Sequence, residues 1–273
     1  MPTSKTAIVT GAASGLGRAM ALGLVGAGFH VAAVDRSAAG LESLAAAAVG
    51  RPGTVQSVHV DLAQPDAFDR IIGAVLARSA RIDVLVNNAG IGQASIRPNA
   101  RANPIRFWDV TLEQWNRFVT VNATAPIMLT RAVLPHMLAE KSGRIITVTT
   151  SLGTMVREGY LLYGASKAAT EAAMAGLSAD LNGTGVTSNV LVPGGVTNTP
   201  LVGDHAGDRS RMLQPEIMVP PLLWLVSDAA SAVNGRRFIA ADWNANLPAE
   251  QAAEKAGAPI AWLGIARMPI EPG

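Results

Sequence analysis

Ala7-Ile8-Val9-Thr10-Gly11-Ala12-Ala13-Ser14-Gly15-Leu16-Gly17 is the stretch whose reading decides the fold. Its three apolar residues read as a buried strand, and a glycine-rich turn opens onto residues 18–26, which pattern as a helix. A second apolar run, Val31-Ala32-Ala33-Val34, ends in Asp35. Strand, glycine turn, helix, strand and acid in that order make a βαβ unit. Glycines in such a turn let backbone N–H groups approach a pyrophosphate at the helix N-terminus. Gly11, Ala13, Ser14, Gly15, Leu16 and Gly17 are the candidates for that contact; the alternative is an ordinary βα turn with convenient glycines. Asp35 closes the second strand, where a carboxylate accepts from both hydroxyls of an adenosine ribose and repels a 2′-phosphate. NAD is therefore expected ahead of NADP, although the neighbouring Arg36 offers a guanidinium to that phosphate.

The alternation continues along the chain. Residues 55–60 read as a third strand ending at Asp61 and Leu62, which are placed to cap an adenine. Residues 65–79 pattern as a helix, residues 83–86 as a fourth strand, and Asn87-Asn88-Ala89-Gly90 as the turn after it. Asn88, Ala89 and Gly90 are candidates to brace the strand edge and meet the cofactor ribose. Residues 112–138 read as one long helix carrying the polar Asn122, loosened where Pro126 removes a backbone N–H. Residues 144–148, 186–192 and 237–241 are further strands, with Thr149-Thr150-Ser151 after the first and Pro193-Gly194-Gly195-Val196-Thr197 after the second. The expected fold is α/β: a single Rossmann-type domain over residues 1–273, its doubly wound parallel sheet of about seven strands covered by helices on both faces. Ligands of such sheets sit at the carboxyl ends of the strands, where all these turns converge.

Tyr163-Gly164-Ala165-Ser166-Lys167 places a phenol and an ammonium one helical turn apart. A cation beside a phenol favours the phenolate, so Tyr163 is expected to titrate below its ordinary value of roughly 10. A tyrosine tuned that way exchanges a proton with an alcohol or carbonyl near neutral pH. The same spacing also occurs on solvated helix faces, and only the convergence of the other motifs on this edge gives it chemical meaning.

Composition narrows the alternatives. The formal charge is +2, with no basic run to engage nucleic acid. Cysteine is absent, which removes disulfides, thiolate metal sites and cysteine nucleophiles. His30, His59, His136 and His205 are scattered without metal-ligand spacing, and neither a serine-hydrolase elbow nor a P-loop occurs. No signal-peptide pattern and no run of about 20 apolar residues is found, so a soluble cytoplasmic protein without membrane partners is expected.

These motifs together resemble the classical short-chain dehydrogenase/reductase family over roughly the first 200 residues. The turn from Thr10 to Gly17 is similar to the family's cofactor turn, Asn87-Asn88-Ala89-Gly90 to its fourth-strand motif, Asn122 to its helix asparagine, and Tyr163 with Lys167 to its catalytic pair. Pro193, Gly194, Val196 and Thr197 resemble the segment that cradles the nicotinamide. The resemblance implies hydride transfer between NAD(H) and a secondary alcohol or ketone, with Tyr163 as general acid/base. Lys167 would lower the Tyr163 pKa and hold the nicotinamide ribose, and Asn122 would fix a relay water. It also implies a homodimer or homotetramer, built through the helices of residues 112–138 and 163–181.

Departures from the family pattern concern the substrate. Thr150 stands where the family has a substrate-binding serine, with Ser151 one position later; register favours Thr150 and residue type favours Ser151. Residues 92–109 form a longer connection than the family leads one to expect. Arg97, Arg101 and Arg106 on it can meet an anionic group or merely face solvent. Residues 198–215 are a candidate substrate lid, and residues 243–273 a C-terminal extension over a pocket or a subunit interface. Two other functions stay open: an NADPH-linked ketone reductase of the same fold, and a non-catalytic nucleotide-binding scaffold.

Overall fold

The computed structural model describes residues 4–100, 102–203 and 207–265. Arg101, His205 and the end of the C-terminal extension, all singled out above, lie outside them. The chain alternates from the start: β1 (Thr6–Thr10), α1 (Gly15–Gly26), β2 (His30–Asp35), α2 (Ala38–Ala48), β3 (Thr54–His59), α3 (Ala67–Leu76) and β4 (Val84–Asn87). Then come α4 (Leu112–Val119), α5 (Ala125–Ala139), β5 (Gly143–Val148), α6 (Leu152–Met155), α7 (Leu161–Asp180) and β6 (Val186–Val192). The chain continues through α8 (Val219–Leu225), β7 (Arg236–Ile239), α9 (Ala249–Ala256) and β8 (Gly257–Pro259).

The strands form one sheet in the order β3-β2-β1-β4-β5-β6-β7-β8. Every pairing from β3 to β7 is parallel, which forces a helical crossover between successive strands. Along β1, Ala7 and Val9 face one core with Met20, Leu24, Leu41 and Leu222, while Ile8 faces the other with Ile71, Val133 and Met174. Period-two alternation between two apolar faces gives the three-layer arrangement expected from the sequence. The order reverses between β1 and β4, and the crevice opening there is where such sheets take ligands.

Two elements differ from the sequence reading. The long helix is three pieces: Thr120–Thr124 forms a π-helical turn between α4 and α5. Pro126 cannot donate to the carbonyl four residues before it, and that carbonyl, Asn122 O, accepts instead from Thr170 Oγ1 at 2.6 Å. The second difference is β8, an eighth strand antiparallel to β7, formed by the extension. It closes the edge that β7 would otherwise expose. Ile260 is buried in the chain's own core, while Trp262, Leu263 and Ile265 stay exposed.

Candidate active site

The carboxyl ends of β1 and β4 are stapled across the switch point. The Asn88 and Ala89 N–H groups donate to Thr10 Oγ1 at 3.0 and 3.1 Å, and Asn88 Nδ2 donates to the Thr10 carbonyl at 2.9 Å. Gly11 adopts a φ of +66°, and a Cβ there would lie 2.9 Å from Ala89 Cα. At Gly17 a Cβ would reach to 2.1 Å from the Gly11 carbonyl oxygen, so α1 packs this close to the turn only without a side chain.

The turn fits a dinucleotide. Ser14 precedes α1 in extended geometry, its side chain makes no capping bond, and the first turn holds no acid. The free N–H groups of Gly15, Leu16 and their neighbours, with the positive end of the helix dipole, are left for an anion. Asp35 sits at the end of β2, half-buried, with one carboxylate oxygen accepting from Ala13 N at 3.0 Å and the other from Ser37 N at 2.9 Å. Each oxygen keeps a lone pair for a ribose hydroxyl. Arg36 is exposed beside it. Asp61 and Leu62 follow β3, half-buried, and Asp61 caps its own turn through Ala63 N at 2.9 Å.

Across the crevice, the Pro193 carbonyl accepts from Ala241 N at 3.1 Å, which holds the turn after β6 against β7. Thr197 pairs with Leu213 as an isolated bridge, and Leu213 N donates to the Val196 carbonyl at 3.0 Å. This closes the base of the segment read as a lid. Within it, Arg209 donates to Asn198 Oδ1 at 3.0 Å and to the Gly203 carbonyl at 2.7 Å.

Tyr163, Thr150, Lys167 and Asn122 meet at this edge. The Thr150 side chain lies near enough to the Tyr163 phenol to oppose the rise in its pKa. Ser151, one residue on, precedes α6 and uses its carbonyl to accept from Thr154 N at 2.8 Å. Lys167 is 4% exposed, and its Nζ donates to the Val148 carbonyl at 2.9 Å. Asn122 grips the strand exit from both sides: its Oδ1 accepts from Ile91 N at 2.8 Å, and its Nδ2 donates to the Ile91 carbonyl and to Ser166 Oγ, each at 3.0 Å.

The expectation that Tyr163 titrates low is overturned. Burial pushes its phenol up to about 12, with the Thr150 hydroxyl opposing and Tyr160 adding to the rise. Burial also pulls Lys167 down to about 8. Both ionised forms lose hydration, and with Nζ 6.0 Å from the ring centre the lysine does not offset that loss.

Two residues not singled out by the sequence complete the arrangement. Glu171, on α7 and fully buried, accepts from Thr149 Oγ1 at 2.5 Å through Oε2 and from Ala261 N at 3.2 Å through Oε1. Arg237 on β7 lies 3.5 Å from Glu171 Oε2 and donates to the Thr150 carbonyl. Burial lowers the Arg237 pKa, and Glu171 counters that shift. The available signal was the spacing: Glu171 is an acid in an alanine-rich helix, one turn beyond Lys167.

Two of the loop arginines, Arg97 and Arg106, are engaged. Arg97 donates to the Asn103 and Pro104 carbonyls, each at 3.2 Å, and Arg106 pairs with Glu158. Phe107 and Trp108 beside them are 72% and 81% exposed. Among the described residues, no cluster could hold a metal, and no helix is long and apolar enough to cross a membrane.

Comparison with known proteins agrees with this geometry. The family model described as short chain dehydrogenase matches residues 5–209. A short chain dehydrogenase of Pseudocercospora fijiensis is 38% identical over 192 residues; the match covers 70% of this chain and spans 60% of that relative's length. Among solved structures, a proposed NAD(P)-dependent gluconate 5-dehydrogenase from Beutenbergia cavernae, holding NADP at low occupancy, is 34% identical. Its TM-score is 0.76, over 88% of this chain and 97% of that one. The 3-ketoacyl-(acyl-carrier-protein) reductase of Brucella melitensis, complexed with NADH, is 28% identical with a TM-score of 0.73, over 84% and 93% of the two chains. This chain belongs to the short chain dehydrogenase family, a family of NAD(P)-dependent oxidoreductases.

Proposed function

We propose that this chain interconverts a secondary alcohol and a ketone with a nicotinamide cofactor. The observation that carries the reading is the buried Lys167, its Nζ held on the Val148 carbonyl at 2.9 Å and 6.0 Å from the Tyr163 ring centre, at the edge that also presents the glycine turn. When bound, the nicotinamide supplies or accepts the hydride. Tyr163 holds the proton that moves to or from the substrate oxygen, and Thr150 donates a hydrogen bond to that oxygen. Lys167 would hold a ribose hydroxyl, and its ammonium would lower the phenol's pKa only on moving closer than 6.0 Å from the ring centre. Asn122 braces Ile91 and Ser166, and its carbonyl keeps a second lone pair for a relay water. Pro193, Gly194, Val196 and Thr197 would border the nicotinamide, residues 198–215 would close over it, and Asn88, Ala89 and Gly90 would meet its ribose.

For the adenosine end we infer a preference for NAD, since Asp35 places a carboxylate at the ribose and repels a 2′-phosphate. Arg36 is the feature that favours NADP, and the neighbour holding NADP supports that alternative. For the substrate we infer an uncharged, apolar ketone or alcohol. Arg97 and Arg106 are occupied within the chain, and Leu152, Val156, Val196 and Leu201 on the surrounding turns are exposed. The exposed small-residue face of α7, with Ala169, Ala172, Gly176 and Ala179, suits a second copy, as a homodimer or homotetramer requires. Light scattering tests that, and a monomer at micromolar concentration overturns it. A cytoplasmic location, checked by cell fractionation, is in keeping with a chain without cysteine.

The deciding experiment is a panel of apolar and anionic ketones with NADH and NADPH, followed by cofactor absorbance. Turnover on apolar ketones, lost in Tyr163→Phe, is expected. Cofactor binding without turnover on any of the panel would leave a nucleotide-binding scaffold.

A further inference from the structure

Three consecutive residues leaving β5 are each held by a different buried charged side chain. The Val148 carbonyl accepts from Lys167, the Thr149 hydroxyl donates to Glu171, and the Thr150 carbonyl accepts from Arg237. Lys167 and Glu171 lie one turn apart on α7, the helix that carries Tyr163, while Arg237 comes from β7. The second Glu171 oxygen takes the Ala261 N–H from the segment just past β8, so the extension joins the same cluster. Glu171 is 0% and Arg237 4% exposed. Burying such a pair is costly, and Arg237 Nη1 makes no hydrogen bond among the described residues, meeting Glu171 Oε2 at 3.5 Å only as an ion pair.

We propose that Glu171 and Arg237 are positioning residues that fix the exit of β5 so that the Thr150 hydroxyl faces the Tyr163 phenol. This rests on the alcohol–ketone reading only for its effect on turnover; the placement of Thr150 is testable without a substrate. Threonine rotates about a single χ1 once its backbone is fixed, so holding the Thr150 carbonyl and the residue before it sets where its hydroxyl points. The cluster acts through Thr150 and touches no reacting atom.

The chain has two tyrosines. In a Tyr160→Phe background, protein labelled with 3-fluorotyrosine carries one fluorine signal, that of position 163. Removing both charges together, as Glu171→Gln with Arg237→Met, avoids leaving one buried ion unpaired. This pair of substitutions is expected to move the fluorine signal in the same direction as Thr150→Ala and to add nothing in a Thr150→Ala background. Arg237→Lys keeps a counter-charge for Glu171 but gives up the planar fork that serves Glu171 and Thr150 together. It is expected to produce the same shift at smaller amplitude, and it decides the matter should the paired substitution fail to fold. With acetophenone and NADH, each variant should lose at least tenfold in kcat while its NADH dissociation constant stays within about twofold of wild type. An unmoved fluorine signal in a folded variant, or a loss of turnover fully additive to that of Thr150→Ala, overturns the proposal. Wild-type protein inactive on acetophenone counts against the functional reading, and the fluorine result then stands on its own.

Discussion

The Lys167 ammonium lies 6.0 Å from the centre of the Tyr163 ring and gives its hydrogen bond to the Val148 carbonyl at 2.9 Å. Burial pulls the lysine down to about 8 while it pushes the phenol up to about 12. The lysine consequence has a definite sign. Between pH 8 and the unfolded value of 10.5 the unfolded chain binds the proton that the folded chain has lost, so Lys167 makes stability rise with pH across that window. Tyr163 acts oppositely, but only above pH 10, where the folded chain holds the extra proton. Below pH 8 the full penalty of burying the charged amine is present. Denaturant melts at about pH 7.5 and 9.5 should therefore show Lys167→Met more stable relative to wild type at the lower pH. The difference should shrink by up to about 2 kcal/mol at the higher pH. A difference independent of pH means that Lys167 is not desolvated as described.

Tyr163→Phe keeps the ring and its packing but removes the proton. Turnover should fall by about 10²–10⁴, as expected for loss of a general acid/base. NADH binding, followed by its fluorescence, should change little. A variant with full turnover removes Tyr163 from the chemistry.

Much of this was legible from residue type and order, because the turns of a parallel sheet must converge at one edge. The glycine turn, Asp35, the stapling Asn88 and the helix carrying Tyr163 all lie where alternation put them. What escaped depended on contacts between distant positions. Arg237 and Glu171 read as an edge-strand cation and a helix former, and only the fold buries them against each other. The Tyr163 shift escaped for a related reason: spacing predicts proximity to a charge, whereas desolvation depends on everything packed around the phenol. β8 is too short, and too poor in β-formers at Gly257 and Pro259, to announce itself.

Thr150 and Ser151 make a paired prediction. If Thr150 supplies the donor to the substrate oxygen, Thr150→Ala should lower kcat on the order of a hundredfold, the usual effect of losing a donor to the reacting oxygen. Thr150→Ser restores the hydroxyl and should recover most of that loss. Ser151→Ala should stay within about threefold of wild type, since what Ser151 gives α6 is its backbone carbonyl. Parallel steady-state kinetics on all three variants check this. Equal losses at both positions would mean that the β5 exit shifts when substrate binds.

Asp35 and Arg36 stand next to each other with opposite consequences for the cofactor. The Asp35 carboxylate accepts from Ala13 N and Ser37 N, and thereby also ties β2 to the glycine turn. Its replacement should weaken binding of both cofactors somewhat while relieving repulsion toward a 2′-phosphate only for one. Asp35→Ser is accordingly expected to raise the ratio of kcat/KM for NADPH over NADH at least tenfold, equivalent to about 1.4 kcal/mol. Arg36→Ala should leave NADH unchanged and reduce whatever NADPH activity exists, because a guanidinium recognises the phosphate and has no partner on a plain ribose. Measuring kcat/KM for both cofactors in wild type and both variants separates the two effects. An enzyme already faster with NADPH, and made slower with it by Arg36→Ala, would place Arg36 rather than Asp35 in command of cofactor choice.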